Sequence, residues 1–362
     1  MTEDWHPTFD GDRLRLTLAI GEYDHVRDLC TGRIRAEGIA ITPLHLPTEE
    51  IFHRFLRYRE WEVSEISLAK YAALRSQGDA SLIAIPVFPS RVFRHSSIYV
   101  RRDGPVRTPA DLAGRRIGVP EWAQTASVYT RGLLADTYGL DLRGIGWTQA
   151  GVNQAGRMEK VRLALPDGIR LQPRPDASLD QLLCAGDLDA VLSAHPPASF
   201  EAAEASGPEV KGTGVKGTGV GGTGVGGTGI TRLFADPAAE ERAYYQATGI
   251  FPIMHVVVLR AAVLDRFPWV AMNLFEAFDA AKARSQARLA EYTASRVPLP
   301  WVQSSVAAAQ ALFGPDPFPY GVASNRATLD AFLGWAQAQG VTHRRLSPDE
   351  LFARSTLSRV RV

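Results

Sequence analysis

The chain has 362 residues, which exceeds one average domain and suits two units of about 100–200 residues each. Lys and Arg together number 40 and Asp and Glu 39, so the net charge is only +1. This balance argues against a broad basic surface, and therefore against a nucleic-acid-binding protein. The composition, 45% hydrophobic and 22% charged, is that of an ordinary soluble globular protein.

The beginning of the chain and its cysteines bear on where the protein works. The acidic N-terminal residues lack the apolar core of a secretory signal, and no apolar run approaches the roughly 18 residues of a membrane span. Cys30 and Cys184 lie far apart without metal-ligand spacing, so we expect two buried thiols in a reducing compartment. These features predict a cytoplasmic protein that does not bind membranes.

The first third of the chain alternates predicted strands with predicted helices. The strands have alternating or continuous apolar residues and are expected at 14–20, 39–46, 64–67 and 82–87. Such alternation predicts a mainly parallel sheet, and ligands bind beyond the carboxyl ends of its strands. The ends that matter here are Gly21-Glu22-Tyr23 and Glu65-Ile66-Ser67.

The rest of the chain repeats this pattern. Helices are predicted to begin at Thr108, where a proline follows, and around Gln124-Thr125-Ala126. Further strands are expected at 115–120, 188–192 and 255–259, and further helices at 178–184, at 268–292 and in much of the C-terminal part.

A glycine-rich repeat interrupts the second half. Residues 211–230 consist of four five-residue units, from Lys211-Gly-Thr-Gly-Val215 to Gly226-Gly-Thr-Gly-Ile230. A phosphate-binding loop would need a Gly-Lys-Ser/Thr match between a strand and a helix, and none is present. The repeat therefore predicts a flexible surface loop.

Three motifs in this order resemble the type II periplasmic binding proteins. They are Thr108-Pro-Ala-Asp-Leu-Ala-Gly-Arg-Arg-Ile-Gly-Val119, Leu183-Cys-Ala-Gly-Asp-Leu-Asp-Ala190, and Val256-Val-Val-Leu-Arg260 followed by Phe267-Pro268-Trp269. The resemblance implies a two-lobed α/β fold that closes a cleft on a small molecule, with the chain crossing twice between lobes. We expect lobe 1 to contain residues 13–95 and 256–353, and lobe 2 to contain residues 96–255.

More specific stretches resemble bacterial 4,5-dihydroxyphthalate decarboxylases, which are enzymes on this scaffold. They include Gly21-Glu-Tyr-Asp24, Ser64-Glu-Ile-Ser-Leu68, Gly118-Val-Pro-Glu121, Gly156-Arg157, Thr248-Gly-Ile-Phe-Pro-Ile-Met-His255 and the segment 85–96. The resemblance implies non-oxidative decarboxylation of a hydroxylated aromatic dicarboxylate, 4,5-dihydroxyphthalate, to protocatechuate (3,4-dihydroxybenzoate) in phthalate degradation. Two features depart from the family: the glycine-rich repeat, and His195 where an arginine is expected.

The implied substrate carries two adjacent carboxylates, which require fixed cations. Arginine suits a carboxylate because its planar fork donates two parallel hydrogen bonds. Arg91 and Arg94, near the first expected crossing, are the candidates for this clamp, with ordinary surface ion pairs as the alternative. The amides at Gln124 and Thr125 could add an anion site at a helix start, with ordinary capping as the alternative.

The implied reaction needs a place for the electrons that the departing carbon dioxide leaves behind. Deprotonation of the hydroxyl para to the leaving carboxylate raises electron density at the carbon that bears it, and that carbon can then be protonated. The reaction therefore requires a base near the diol and an acid near the carbon. Histidine is the natural acid near neutral pH.

Candidate residues for these roles lie at the expected strand ends and crossings. His255 is the predicted proton donor, and His95 and His195 are the alternatives. Glu65 is the predicted partner of the diol. Tyr23 and Ser67 are expected to line the substrate pocket, as is His95 if it does not react.

No cofactor is predicted. The sequence has no paired His/Glu motif that would indicate a metal site. A divalent metal is nevertheless left open, because catechols and carboxylates both chelate metals. The expected partner is a small aromatic carboxylate, without nucleic acid or membrane; a homo-oligomer is left open. Fold does not fix function. A substrate-binding protein or ligand sensor without catalysis is therefore the alternative, and an enzyme for another hydroxylated aromatic acid is a third reading.

Overall fold

The computed structural model describes residues 5–205 and 229–358, which form two units. Described residues up to Val92 and from Arg242 onward form unit 1, and those from Phe93 to Glu241 form unit 2. The lobe boundaries expected from the sequence were 95/96 and 255/256. The difference matters for His255, which lies in unit 1 because its strand pairs with strands of that unit.

The secondary structure follows the alternation expected from the sequence. The strands are β1 (Thr8–Asp10), β2 (Arg13–Ala19), β3 (Ile39–Leu44), β4 (Val63–Ser67), β5 (Leu82–Ile85), β6 (Ile98–Arg101), β7 (Arg116–Val119), β8 (Gly146–Gly151), β9 (Arg170–Ser178), β10 (Ala190–Leu192), β11 (Ile230–Arg232) and β12 (His255–Arg260). The α-helices are α1 (Asp24–Cys30), α2 (Thr48–Tyr58), α3 (Leu68–Ser76), α4 (Thr125–Tyr138), α5 (Leu179–Ala185), α6 (Ala198–Ala205), α7 (Pro237–Thr248), α8 (Ala261–Arg266), α9 (Val270–Leu289), α10 (Val302–Phe313) and α11 (Arg326–Ala338). The helix expected after Thr108 is a short 3-10 helix, Pro109–Leu112.

The sheet of unit 1 is mixed, whereas the sequence predicted a mainly parallel one. Its order is β1-β2-β4-β12-β5, with β3 paired to β2. Strands β3 and β4 run parallel to β2, but β12 runs antiparallel to both β4 and β5. The prediction was wrong here because β12 begins at the edge where β4 ends. This reversal places His255, the first residue of β12, opposite Ser67, the last residue of β4.

The core of unit 1 surrounds these central strands. The residues from Val256 to Leu259 in β12 are fully buried on both faces, as the continuous apolar run of the sequence predicts. Helix α1 is fixed to α9 by Asp28, whose buried carboxylate lies 2.6 Å from Arg284 Nε and 2.7 Å from Arg288 Nη1. This ion-pair cluster anchors the helix that begins directly after Tyr23.

Unit 2 has its own mixed sheet, in the order β11-β6-β10-β7-β8-β9. Strands β7 to β10 run parallel to one another, while β6 is antiparallel to both β10 and β11. The sequence predicted β7 and β10 but missed β6, β8 and β11, and also β9, which is the longest strand of this sheet. That strand lies at the edge of the sheet, so most of its side chains are exposed and no apolar alternation marks it.

Three further expectations can be compared with the described residues. The expected loop at 211–230 lies outside them except for Gly229 and Ile230, and Ile230 begins β11. Both thiols are free, but Cys184 is exposed and Cys30 is only half-buried, so the prediction of two buried thiols was wrong. No helix within 5–205 or 229–358 combines the length and the apolar character of a membrane crossing.

Candidate active site

Glu65 lies at the centre of a hydrogen-bond network in unit 1. It is fully buried in β4, and its Oε2 accepts a hydrogen bond from the Gly21 amide at 2.9 Å. Its Oε1 accepts one from the Tyr23 hydroxyl at 2.6 Å and lies 2.6 Å from His255 Nδ1. Burial alone would raise the pKa of Glu65, but His255, Gly21 and Tyr23 outweigh it and lower that pKa. The carboxylate is therefore ionised near neutral pH.

The ends of three strands bring these groups together. Gly21 follows β2, Glu65 lies near the end of β4, and His255 begins β12. A Cβ at position 21 would lie 2.9 Å from the Tyr23 ring, so a larger residue there would displace the phenol that hydrogen-bonds to Glu65. The sequence pattern predicted ligand chemistry at this edge of the sheet, and the antiparallel direction of β12 adds His255 to it.

His255 is oriented by this network. Its side chain is 20% exposed, and its ring packs edge-on against Phe52 at 4.9 Å between centroids. An ionised carboxylate can only accept hydrogen bonds, so Nδ1 carries a hydrogen and donates it to Glu65. The other ring nitrogen, Nε2, is thus the one that can exchange a proton with a ligand. The carboxylate also stabilises positive charge that develops on the ring.

Tyr23 supports the carboxylate as a neutral phenol. Burial and the charge of Glu65 raise the pKa of Tyr23, so it stays protonated. The side chains of Thr48 and Ser90 act in the opposite direction and lower the pKa of Tyr23, but burial and Glu65 outweigh them. Sequence reasoning missed both residues, and the only signal was the position of Ser90 within a segment that resembles the family. Tyr23 packs against His25, whose pKa is lowered to about 4 by burial.

Arg91, a predicted carboxylate clamp, uses its guanidinium within unit 1. It is 7% exposed and donates from Nη2 to the Phe251 carbonyl at 2.8 Å and from Nη1 to the Pro319 carbonyl at 3.2 Å. The guanidinium carbon also lies 4.3 Å from the centroid of the Phe251 ring. Arg91 is paired with Ile253 in an isolated β-bridge, so it ties down the segment that leads into His255.

The remaining sequence-predicted residues divide between the units. Ser67 lies in unit 1 opposite His255 and caps α3 by accepting from the Lys70 amide at 3.5 Å. The other five lie in unit 2: Arg94, His95, Gln124, Thr125 and His195. The structure therefore brings together Tyr23, Glu65, Ser67, Arg91 and His255.

The two histidines of unit 2 differ from His255. His95 is 1% exposed, packs against Phe234 at 5.4 Å, and has its pKa lowered to about 4 by burial, so it is neutral at pH 7. His195 is exposed on the segment after β10.

The segment before α4, which contains Gln124 and ends at Thr125, is held by buried side chains. Glu121 is fully buried and lies 2.8 Å from Arg157 Nε. Gln149 donates to the Pro120 carbonyl at 2.7 Å, and Arg131 donates to the Trp122 carbonyl at 2.6 Å. Sequence reasoning missed Gln149, which lies 29 residues along the chain from Pro120, and Arg131, which reaches back to Trp122 from within α4.

A metal site requires several His, Cys, Asp or Glu side chains close enough together to bind one ion. Among the described residues, no three His, Cys, Asp or Glu side chains come together as a set that could hold an ion. We therefore assign no residue to a metal.

Known proteins identify the family. The chain is 35% identical over 351 residues to a 4,5-dihydroxyphthalate decarboxylase of Comamonas testosteroni, an alignment that covers 97% of this chain and 99% of that protein. A protein of the same name from Pseudomonas putida is 38% identical over 190 residues, which cover 52% of this chain and 74% of its own. No protein-family model matches the chain.

Solved structures identify the fold. The periplasmic aliphatic sulphonate binding protein SsuA from Escherichia coli is 13% identical and superposes with a TM-score of 0.51, covering 95% of this chain and 98% of its own. This similarity confirms the predicted type II periplasmic-binding-protein-like fold. Because a decarboxylase relative is similar over nearly the whole of both chains, the protein belongs to the 4,5-dihydroxyphthalate decarboxylase family, which is a family of enzymes.

Proposed function

We propose that this chain is a carboxy-lyase that converts 4,5-dihydroxyphthalate to 3,4-dihydroxybenzoate and carbon dioxide. The names of its two relatives support the substrate. The observation that carries the chemistry is the 2.6 Å contact between Glu65 Oε1 and His255 Nδ1, because it leaves Nε2 of an oriented imidazole as the group that can move a proton.

The proposed reaction begins at the hydroxyl para to the leaving carboxylate. Loss of its proton to a water molecule raises electron density at the carbon that bears the carboxylate, and Nε2 of protonated His255 transfers its proton to that carbon. The bond to the carboxylate then breaks, its electron pair returns to the ring, and carbon dioxide leaves. The phenolate regains a proton, and His255 is reprotonated from solvent, so protons and electrons balance.

Glu65 acts in this proposal through His255. The sequence suggested a direct contact between Glu65 and the diol, but the carboxylate already accepts from Gly21, Tyr23 and His255. A substrate hydroxyl would have to compete with these donors. We therefore propose Glu65 as a positioning residue that fixes the imidazole tautomer and stabilises its positive charge.

Arg91 supports the same histidine. Its contacts with the carbonyls of Phe251 and Pro319 fix the segment before β12, and the Ser90 carbonyl accepts from the Met254 amide at 2.8 Å. A general acid must be held within a fraction of an ångström of the reacting atom. We propose that Arg91 positions His255, in place of the carboxylate clamp expected from the sequence.

The proposal is tested by incubating the purified protein with 4,5-dihydroxyphthalate. Release of carbon dioxide and formation of 3,4-dihydroxybenzoate should occur at the same rate, with His255→Ala as the inactive control. Saturable binding of the substrate without either product would contradict an enzyme and support the ligand-binding alternative.

A further inference from the structure

Unit 1 contains a cavity lined mainly by arginines, and none of its lining residues belongs to the network around Glu65. The cavity has a volume of about 320 Å³, and its lining residues are Arg33, Arg284, Ala287, Arg288, Glu291 and Arg296. They come from the turn after α1, from the last turns of α9 and from the segment between α9 and α10. Guanidinium groups from three segments of the chain therefore meet at one cavity, and we call this cavity the arginine pocket.

Two of these guanidinium groups are held side by side by one buried carboxylate. Arg284 Nε lies 2.6 Å from Oδ2 of Asp28, and Arg288 Nη1 lies 2.7 Å from the same oxygen. The side chain of Arg284 is nevertheless 53% exposed, and its Nη1 and Nη2 have no hydrogen-bond acceptor among the described residues. A ligand in the cavity can therefore reach two donors of a guanidinium that Asp28 already fixes through Nε.

Arg33 and Arg296 complete the lining of the arginine pocket. Both are exposed, and neither forms an ion pair with any residue within 5–205 or 229–358. The pocket also contains a carboxylate, Glu291, whose Oε1 accepts from the Thr293 hydroxyl at 2.6 Å and from the Thr293 amide at 2.8 Å. These bonds, and to a smaller extent the charge of Arg296, lower the pKa of Glu291. Glu291 thus remains ionised and neutralises part of the positive charge.

The surroundings of the pocket keep an excess of positive charge. Arg288 also lies 3.0 Å from Asp24, and Asp24 lies 3.1 Å from a further arginine, Arg27. The four arginines of the pocket and Arg27 are accompanied by three carboxylates, those of Asp24, Asp28 and Glu291. Two positive charges are therefore left over, and an anion in the cavity would reduce the repulsion among the guanidinium groups.

We propose that the arginine pocket binds the phosphate group of a small anion. A phosphate monoester carries about 1.5 to 2 negative charges and three oxygens that accept hydrogen bonds, which matches the excess charge of the pocket. Its tetrahedral oxygens can accept from guanidinium groups of several segments at once, whereas a carboxylate offers two oxygens in one plane. The fixed position of Arg284 lowers the entropy lost on binding. This site lies within unit 1 and does not depend on the chemistry proposed for His255.

Inorganic pyrophosphate and phenyl phosphate are the probes for this site. Their dissociation constants are measured by calorimetry with the full chain at about 0.15 M salt, which screens distant surface charges. The double variant Arg33→Gln/Arg296→Gln keeps the arginines that pair with Asp28, and it should bind the probes about 10- to 100-fold more weakly than the wild type. The control, Arg143→Gln/Arg174→Gln, removes the same charge from two exposed arginines of unit 2 and should bind like the wild type.

The two probes also distinguish the sources of the phosphate group. Tighter binding of pyrophosphate would assign a free inorganic anion to the pocket, and tighter binding of phenyl phosphate would assign a phosphate monoester. The proposal is overturned if the wild type binds neither probe saturably, if Arg33→Gln/Arg296→Gln binds them as tightly as the wild type, or if both double variants lose affinity equally.

Circular dichroism and the melting temperature show whether the double variant folds. If it does not fold, protection of the wild type from phenylglyoxal decides, as read by peptide mass spectrometry. Pyrophosphate should then protect Arg33 and Arg284 but not Arg143. Equal modification of Arg33 and Arg284 with and without pyrophosphate would overturn the proposal.

Discussion

Replacement of Glu65 by glutamine tests how the buried network supports His255. The carboxylate accepts from three donors at 2.6–2.9 Å: the Gly21 amide, the Tyr23 hydroxyl and His255 Nδ1. A glutamine amide has one oxygen, and its nitrogen can only donate, so at least one buried donor loses its acceptor. An unsatisfied buried polar group costs about 1–3 kcal/mol, so Glu65→Gln should unfold at a lower denaturant concentration.

The effect of Glu65→Gln on catalysis should be larger than its effect on stability. Loss of the charge removes the stabilisation of the imidazolium and frees the ring to adopt the other tautomer. Changes of this kind at carboxylate–histidine pairs cost up to about 10⁴ in kcat, and general acid catalysis contributes about 10²–10⁴. We therefore expect kcat to fall at least about 10²-fold at saturating substrate and at a temperature at which the variant is folded.

A nearby glutamate provides the control for this experiment. Glu62 precedes β4 and accepts from the Thr17 amide at 2.8 Å, but it has no contact with His255 among the described residues. Glu62→Gln should therefore keep kcat within about twofold of the wild type. A folded Glu65→Gln variant with the kcat of the wild type would show that Glu65 does not support His255 in catalysis and that the hydrogen-bond network is structural only.

Three further predictions follow from the described contacts. In Arg91→Lys the lysine side chain cannot reach the carbonyls of both Phe251 and Pro319, so kcat should fall about tenfold while the dissociation constant of the substrate changes little. Weaker substrate binding at an unchanged kcat would instead show that Arg91 binds a substrate carboxylate. Asp28→Asn should lower the free energy of unfolding, measured by urea titration, by about 3 kcal/mol, because Arg284 and Arg288 lose their buried carboxylate. A change below about 1 kcal/mol would show that solvent screens these ion pairs. Burial lowers the pKa of His95 from 6.5 to about 4 in the folded protein, so between these pH values the unfolded chain binds a proton that the folded protein does not. The free energy of unfolding should therefore fall by about 3 kcal/mol as the pH falls from 6.5 towards 4, and His95→Gln should flatten that part of the curve of stability against pH. An unchanged curve would contradict the burial argument.

Sequence patterns selected two residues that the structure places in contact, but they did not predict the geometry of that contact. Glu65 and His255 could be chosen because each belongs to a short stretch that resembles the family and lies at a predicted strand end. Their contact could not be derived, because the direction of β12 depends on where the chain re-enters the sheet, which is not a local property. The periodicity of the strand 255–259 is the same in either direction.

Arg91 shows a second limit. Its position beside an expected crossing suited a substrate clamp, and nothing in the local sequence distinguishes that role from the one found. Its acceptors, the carbonyls of Phe251 and Pro319, lie 160 and 228 residues away along the chain. Backbone carbonyls leave no mark on the sequence, so a side chain that serves them cannot be told from one that serves a ligand.

We propose that His255 donates the proton that replaces the carboxylate. The most direct test is the rate of carbon dioxide release from saturating 4,5-dihydroxyphthalate by the wild type and by His255→Ala, with the dissociation constant of each variant measured separately. This role of His255 predicts a fall in kcat of at least about 10²-fold, with affinity within several-fold of the wild type and a smaller loss for His195→Ala. Equal rates of release by His255→Ala and the wild type, or a larger loss at His195 or His95, would contradict it.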